Sequence, residues 1–254
     1  MPDPRVLPTV WQRVCLWVWH WPNVDESYLA KLYAAGARVI AVQLQDDGPL
    51  PRAKAAAWKA LGFKLHGVVH PYAEDGKLWT PQATVDFAVQ ERSRLSLNGL
   101  RFNFEDEVEA ADQGAGQWSA DFCSIYRRRV PWVPSALDTY KGAAGMNLTA
   151  YRVAGFRLLV QTYDATGLWT DPVESVVAWT TARGWPKGHV RPTFGVFKFD
   201  GVRLEPSVAI ASAKAAGTLG ASLYYVDGAF DELETYLVPF VKNLIAVGAG
   251  SGSG

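Results

Sequence analysis

Apolar runs of strand length alternate with amphipathic segments of helix length along the whole chain, and Gly, Pro, Asp or Asn stands at nearly every junction. The strands expected from this pattern are Val14 to Trp19, Val39 to Leu44, Lys64 to Val69, Gly99 to Phe104, Trp132 to Ala136, Arg157 to Thr162, Val190 to Val196 and Ala221 to Val226. Helices are expected over Asp25 to Ala35, Arg52 to Leu61, Gln82 to Leu95, Ser119 to Arg128, Leu148 to Val153, from Asp171-Pro172 to Arg183, Ser207 to Ala216 and Asp231 to Leu244. Thr80-Pro81 supplies an N-cap and a first-turn proline for the third of these. Strand and helix alternate through eight such units in 254 residues, which predicts an α/β fold, a single (βα)8 TIM barrel rather than an open doubly wound sheet. The barrel domain is assigned to residues 1–247, and the Gly/Ser-rich end, 248–254, reads as a flexible tail.

Composition narrows the function classes. With 49% hydrophobic and 20% charged residues the chain can bury a full core. Lys plus Arg and Asp plus Glu are both 25, so net charge recruits neither nucleic acid nor an anionic membrane. Cys15 and Cys123 are the only cysteines and give no disulfide framework. The start, Met1-Pro2-Asp3-Pro4-Arg5, lacks a signal-peptide pattern, and no apolar stretch is long enough to span a bilayer, so synthesis in the cytoplasm is expected. Neither G-x-G-x-x-G after the first strand, nor G-x-x-x-x-G-K-S/T, nor G-x-S-x-G occurs, which removes support for nucleotide binding and serine-hydrolase chemistry.

The densest chemistry lies in Gly99-Leu100-Arg101-Phe102-Asn103-Phe104-Glu105-Asp106-Glu107, where the fourth strand runs into three carboxylates. So much like charge cannot be buried in a strand interior, so the acids belong at the strand's C-terminal end, where barrel enzymes keep their catalytic groups. Alternation puts Arg101, Asn103 and Glu105 on the inward face and Phe102 and Phe104 toward the helices. Glu105 is then a candidate general acid, or else the ion-pair partner of Arg101 or of another barrel cation. Asp106 and Glu107 fall in the following loop, and Glu109 and Asp112 read as solvated loop acids. Glycoside hydrolysis commonly uses two carboxyl groups. Asp46, Asp138, Asp164 and Asp227 follow other strands and are candidate partners, each also readable as a turn or capping residue. Asp164 and Asp227 are taken as the catalytic candidates beside Glu105. Polar and aromatic groups at other strand ends, His20, Trp21, Gln43, Gln45, His70, Tyr72, Asp138, Gln161, Tyr163 and Tyr225, together with Asn103, suit sugar binding by stacking and hydrogen bonding. A metal site from His20, His70 and Asp227 is the weaker alternative, because no H-x-H stands on the first strand. No cofactor is expected.

Asn103-Phe104-Glu105, Val160-Gln161-Thr162-Tyr163 and Tyr225-Val226-Asp227-Gly228-Ala229-Phe230 resemble the barrel lysozymes of the Chalaropsis type. More loosely, the chain is similar to the glycoside hydrolase-like barrels that actinobacteriophages carry as lysins or minor tail proteins. The family pattern on strand four is Asp-x-Glu with the Glu as acid, and here Asn103 stands in place of that Asp. The family's Asp on strand one is also absent, the matching end reading Trp19-His20-Trp21. The resemblance implies a glycosidase acting on bacterial cell-wall polysaccharide, reaching it within a virion or on lysis. The alternative is a non-catalytic barrel that binds a receptor or other virion proteins.

Overall fold

Eight parallel strands close on themselves in sequence order: β1 (Cys15–Val18), β2 (Val39–Gln43), β3 (Lys64–Val69), β4 (Gly99–Asn103), β5 (Ser135–Tyr140), β6 (Arg157–Gln161), β7 (Val190–Gly195) and β8 (Ser222–Tyr224). The last strand returns to the first, with Cys15 opposite Ser222 and Trp17 opposite Tyr224. The protein is thus a (βα)8 barrel, here a computed structural model that describes residues 14–72, 76–113, 117–141, 143, 145–163, 172–198, 200–216 and 220–250. The outer layer consists of α1 (Glu26–Ala34), α2 (Arg52–Ala60), α3 (Pro81–Leu95), α4 (Asp106–Gln113), α5 (Trp118–Arg129), α6 (Leu148–Val153), α7 (Val173–Ala182), α8 (Pro206–Ala216) and α9 (Val238–Gly250). Among the described residues no helix is long and apolar enough to cross a membrane. α9 takes in the first three residues of the Gly/Ser-rich end, and 251–254 lie outside the described residues.

Local sequence accounts for the element ends. Thr80 caps α3 as expected, its hydroxyl accepting from Ala83 N at 3.2 Å. Asp25 caps α1 by accepting from Ser27 N at 2.7 Å. Phe102 and Phe104 leave the barrel to meet α5, with ring centroids 4.9 Å from Phe122 and 5.1 Å from Trp118. Burying these rings contributes both area and edge-to-face contacts.

Three expectations change. The fifth strand begins at Ser135, not Trp132: the β4 ladder starts with Leu100 opposite Ser135, and Pro134 contributes only its carbonyl, accepting Leu100 N at 3.0 Å. Trp132 is instead 81% exposed, and Asp138 moves from a strand end into the strand interior. The acidic run after β4 is no loop. Val108 N and Glu109 N donate to the Glu105 carbonyl at 3.2 and 3.1 Å, so Glu105 starts α4, and Asp106, Glu107 and Glu109 occupy the first turn, where the helix dipole favours anions. Glu109 accepts from Gly145 N at 2.7 Å, and Asp112 accepts from Ser119 N, Ser119 Oγ and Asn147 N at 3.0, 2.6 and 2.8 Å. They pin neighbouring segments rather than sit in solvent. Finally, β8 ends at Tyr224. Tyr225 takes a left-handed conformation, φ 64°, and a 3-10 turn over Val226–Glu232 and a π turn over Leu233–Leu237 lead to α9. The α-helix expected from Asp231 would have put Pro239 in its interior; the regular helix starts at Val238 so that Pro239 falls in the first turn.

At the barrel centre a paired charge replaces an apolar layer. Arg101 donates from Nε to Asp138 Oδ2 at 2.8 Å and from Nη2 to Asp138 Oδ1, while Nη1 donates to Ser222 Oγ at 3.0 Å and reaches Cys15 Sγ at 3.3 Å. Both side chains of the ion pair are fully buried. The Trp17 ring lies over the guanidinium at 4.6 Å. Asp138 is therefore the internal partner of Arg101, which corrects both its expected place at a rim and the alternative pairing of Arg101 with Glu105. We expect Asp138→Asn to destabilise the protein by about 3–5 kcal/mol by leaving the guanidinium buried without its counter-charge. Replacing both partners by apolar residues of similar volume should cost much less. Denaturant unfolding of the two variants checks this, and a loss under about 1 kcal/mol in Asp138→Asn contradicts it.

Candidate active site

Above Trp17, on the face where the strands end, a cleft of about 510 Å³ opens. Its β1 wall carries Trp17 and Trp19. His70 and Tyr72 follow β3, Asn103 ends β4 with Glu105 and Asp106 just beyond it, and Tyr140, Gln161, Tyr163, Phe197 and Tyr224 complete the ring. The aromatic groups pack on one another. Tyr163 stacks on Tyr224 with centroids 5.1 Å apart and planes 4° apart, and Trp19 stands edge-on to Tyr224 at 5.6 Å and to His70 at 5.4 Å. Such flat, mutually braced faces suit the C–H surfaces of a sugar ring.

Glu105 is half-buried at this cleft. Its Oε1 accepts from Gln161 Nε2 at 2.8 Å. Burial pushes the Glu105 carboxyl above the ordinary glutamate range, against the opposite pull of the Gln161 and Asn103 amides. Asp106 points its carboxylate to the Tyr140 hydroxyl, which donates to it. His70 is held neutral, burial lowering its pKa to about 3. Its Nδ1 lies 2.7 Å from Tyr72 Oη, which can donate or accept, and 3.5 Å from Asn103 Nδ2, which can only donate, an arrangement that suits the imidazole hydrogen on Nε2. That Nε2, Trp17 Nε1 and Asn103 Oδ1 are buried with no partner among the described residues. All three atoms belong to residues that line the cleft.

The cleft thus brings together Glu105, Asn103, His70, Tyr72, Gln161 and Tyr163 of the residues expected from sequence. Others stand elsewhere. Asp227, half-buried, accepts Trp19 N on Oδ1 at 2.9 Å and His20 N on Oδ2 at 2.8 Å, so both oxygens serve the backbone after β1. His20 Nδ1 lies 3.0 Å from Asp47 Oδ1, and Trp21 Nε1 donates to Gly48 O at 3.4 Å. Gln45 straps the turn after β3, accepting His70 N at 2.7 Å and donating to His70 O at 3.0 Å and Tyr72 O at 3.3 Å. Gln43 is buried and donates to Asp46 at 3.3 Å. Tyr225 leans on His20, with centroids 5.7 Å apart. Asp164 lies outside the described residues. Among the described residues no three His, Cys, Asp or Glu side chains are placed to hold a metal ion, and His20, His70 and Asp227 do not converge. Trp17, Trp19, Tyr140, Phe197 and Tyr224 line the cleft without having been singled out. Period-two alternation from Cys15 and from Ser222 would have found Trp17, Trp19 and Tyr224.

No protein-family model matches the sequence, and no curated protein matches it. Solved structures are similar in fold. A chitinase active domain from Pyrococcus furiosus, whose catalytic-site mutants were crystallised with chito-oligosaccharides, aligns with TM-score 0.66 and 12% identity over 95% of this chain and 97% of its own. A chitinase from Chromobacterium violaceum gives 0.65 and 14% over 94% and 99%. The Bacillus cereus spore cortex-lytic enzyme SleL gives 0.63 and 12% over 91% and 74%. An aldo-keto reductase described from Pseudomonas aeruginosa also aligns, at 0.53 and 12% over 91% and 90%. Such low identities establish a shared barrel and no shared chemistry. The chain has the fold in which several glycoside hydrolases are built, and the chemistry rests on its own cleft.

Proposed function

We propose that the protein is a glycoside hydrolase acting on a polysaccharide of 2-acetamido sugars, with Glu105 as general acid. The observation that carries this reading is one half-buried carboxyl of raised pKa, held by an amide, on an aromatic cleft at the C-terminal end of a barrel. A second carboxylate of the usual kind is not offered by Asp227, whose oxygens are both engaged by backbone N–H groups. Glycosidases that lack one use substrate assistance. The acetamido oxygen of the substrate attacks the anomeric carbon, the glycosidic C–O bond breaks, and Glu105 gives its proton to the leaving oxygen. Water then adds to the same carbon and returns a proton to the Glu105 carboxylate, with retention of configuration. The unpartnered Asn103 Oδ1 suits the acetamido N–H, and the Trp17 and His70 N–H groups suit its carbonyl. Tyr163, Tyr224 and Trp19 would stack on sugar rings. Chitin-type and bacterial cell-wall glycans both carry this group. The solved neighbour holding chito-oligosaccharides supports a carbohydrate ligand, and the resemblance to lysins supports the cell wall.

A second reading is favoured by the engagement of Asp227: a binding barrel, carried on an assembly such as a phage tail, that holds wall polysaccharide without cutting it. Glu105→Gln should leave the unfolding midpoint unchanged and lower kcat for reducing-end release from chito-oligosaccharides or purified cell wall by about 10²–10⁴-fold. Equal turnover in that variant overturns Glu105 as the acid, and wall retention without release by the wild type establishes the binding barrel.

The pH profile carries a sign. Glu105 must be protonated to act, and its pKa is raised, so kcat/KM should hold below that pKa and fall only as pH rises through it, later than for an ordinary glutamate. A titration of kcat/KM from acid to alkaline pH checks this. A decline centred at or below the normal glutamate value contradicts it.

A further inference from the structure

We propose that Gln161 is the positioning residue of the acid: it fixes the Glu105 carboxyl so that the proton is delivered from Oε2, and it sets the pH at which that proton is lost. The inference rests on the reading of Glu105 as proton donor. Gln161 ends β6, between Tyr140 of β5 and Thr193 of β7 in the ladder, so its side chain rises from a paired backbone rather than a loop. Its Nε2 donates to Glu105 Oε1 at 2.8 Å. A carboxyl hydrogen on Oε1 would face the amide N–H head-on, so the acidic hydrogen belongs on the other oxygen. The amide cannot itself take the proton. It is therefore a fixed dipole that orients the acid and stabilises its ionised form after transfer.

The surroundings leave Gln161 this task. The charged groups acting on Glu105 are Glu107 and Asp106 at the start of α4, both like-charged, and they raise its pKa together with burial. The cleft neighbours from the other strands, His70, Tyr72, Tyr163 and Tyr224, are neutral, with burial holding the imidazole unprotonated and the phenols protonated. Asn103 is the other group that opposes the rise, and it ends the strand that leads directly to the acid. Gln161 thus ties the acid across the cleft to β6.

The test reads the Glu105 carboxyl directly. Protein carrying ¹³C-labelled glutamate is titrated by NMR as wild type, Gln161→Leu and Gln161→Glu, with the Glu105 signal assigned by its loss in Glu105→Gln. Removing the N–H donor should move the Glu105 midpoint up by about one pH unit. Gln161→Glu, of the same shape but able to carry like charge, should move it further and keeps the test open if the leucine variant folds poorly. Where turnover is present, kcat on chito-oligosaccharides should fall by about 10–100-fold with KM little changed, and the alkaline limb should shift with the midpoint. A midpoint unmoved in both variants, or a raised KM at constant kcat, overturns the assignment. A shifted midpoint in a protein without turnover upholds the tie between Gln161 and Glu105 while removing the hydrolase reading.

Discussion

The Arg101–Asp138 pair is the constraint around which the barrel is organised. Taking a guanidinium and a carboxylate out of water costs several kcal/mol each, and only close, complete hydrogen bonding offsets that. Here the offset comes from a two-point contact across adjacent strands β4 and β5, from Ser222 of β8 and from the Trp17 face of β1. The pair therefore requires those four strands in register. Below it, burial and then the nearby Arg101 charge lower the His66 pKa to about 3, so the next polar group inward is a neutral imidazole.

The buried pair lies beneath the cleft. Trp17 lines the cleft and covers the guanidinium at 4.6 Å. Among the described residues the groups lining the cleft around the acid are amide, phenol, indole and neutral imidazole, with Asp106 at the α4 start as the other carboxylate of the lining. No cation is among the causes that set the Glu105 pKa. In such a setting burial dominates and raises the pKa of the carboxyl, the direction a proton donor needs. Asp227 shows the opposite treatment. Two backbone N–H groups occupy its oxygens, and it secures the chain after β1 where another barrel might place a reactive carboxylate.

The cleft is also a product of short-range strand endings. Glu105 faces inward because β4 stops at Asn103 and α4 starts at once on the Glu105 carbonyl, leaving no loop to carry the side chain away. Likewise β8 stops at Tyr224, and the left-handed turn at Tyr225 sends that side chain toward His20 rather than the cleft. A difference of one residue thus decides which of two adjacent tyrosines stacks on Tyr163.

The sequence by itself determined the barrel, because eight apolar strands separated by amphipathic helices leave a closed parallel sheet as the layer that buries every strand. It also placed Glu105 at a rim and turned Phe102 and Phe104 outward, since period-two alternation needs no tertiary information. The short helix α4 stayed hidden because its acids are poor signals of a helix until the dipole at its start is known. The start of β5 was misplaced where Pro134 separates the exposed Trp132 from Ser135, and with it the position of Asp138. Only the tertiary structure decided the partners. Arg101 chose Asp138 over Glu105, Asp227 chose two backbone amides, Gln161 reached Glu105, and Gln45 turned to the backbone of His70 and Tyr72. Those choices depend on distances of a few ångströms between strands far apart in sequence, and alternation along a single strand carries no record of them.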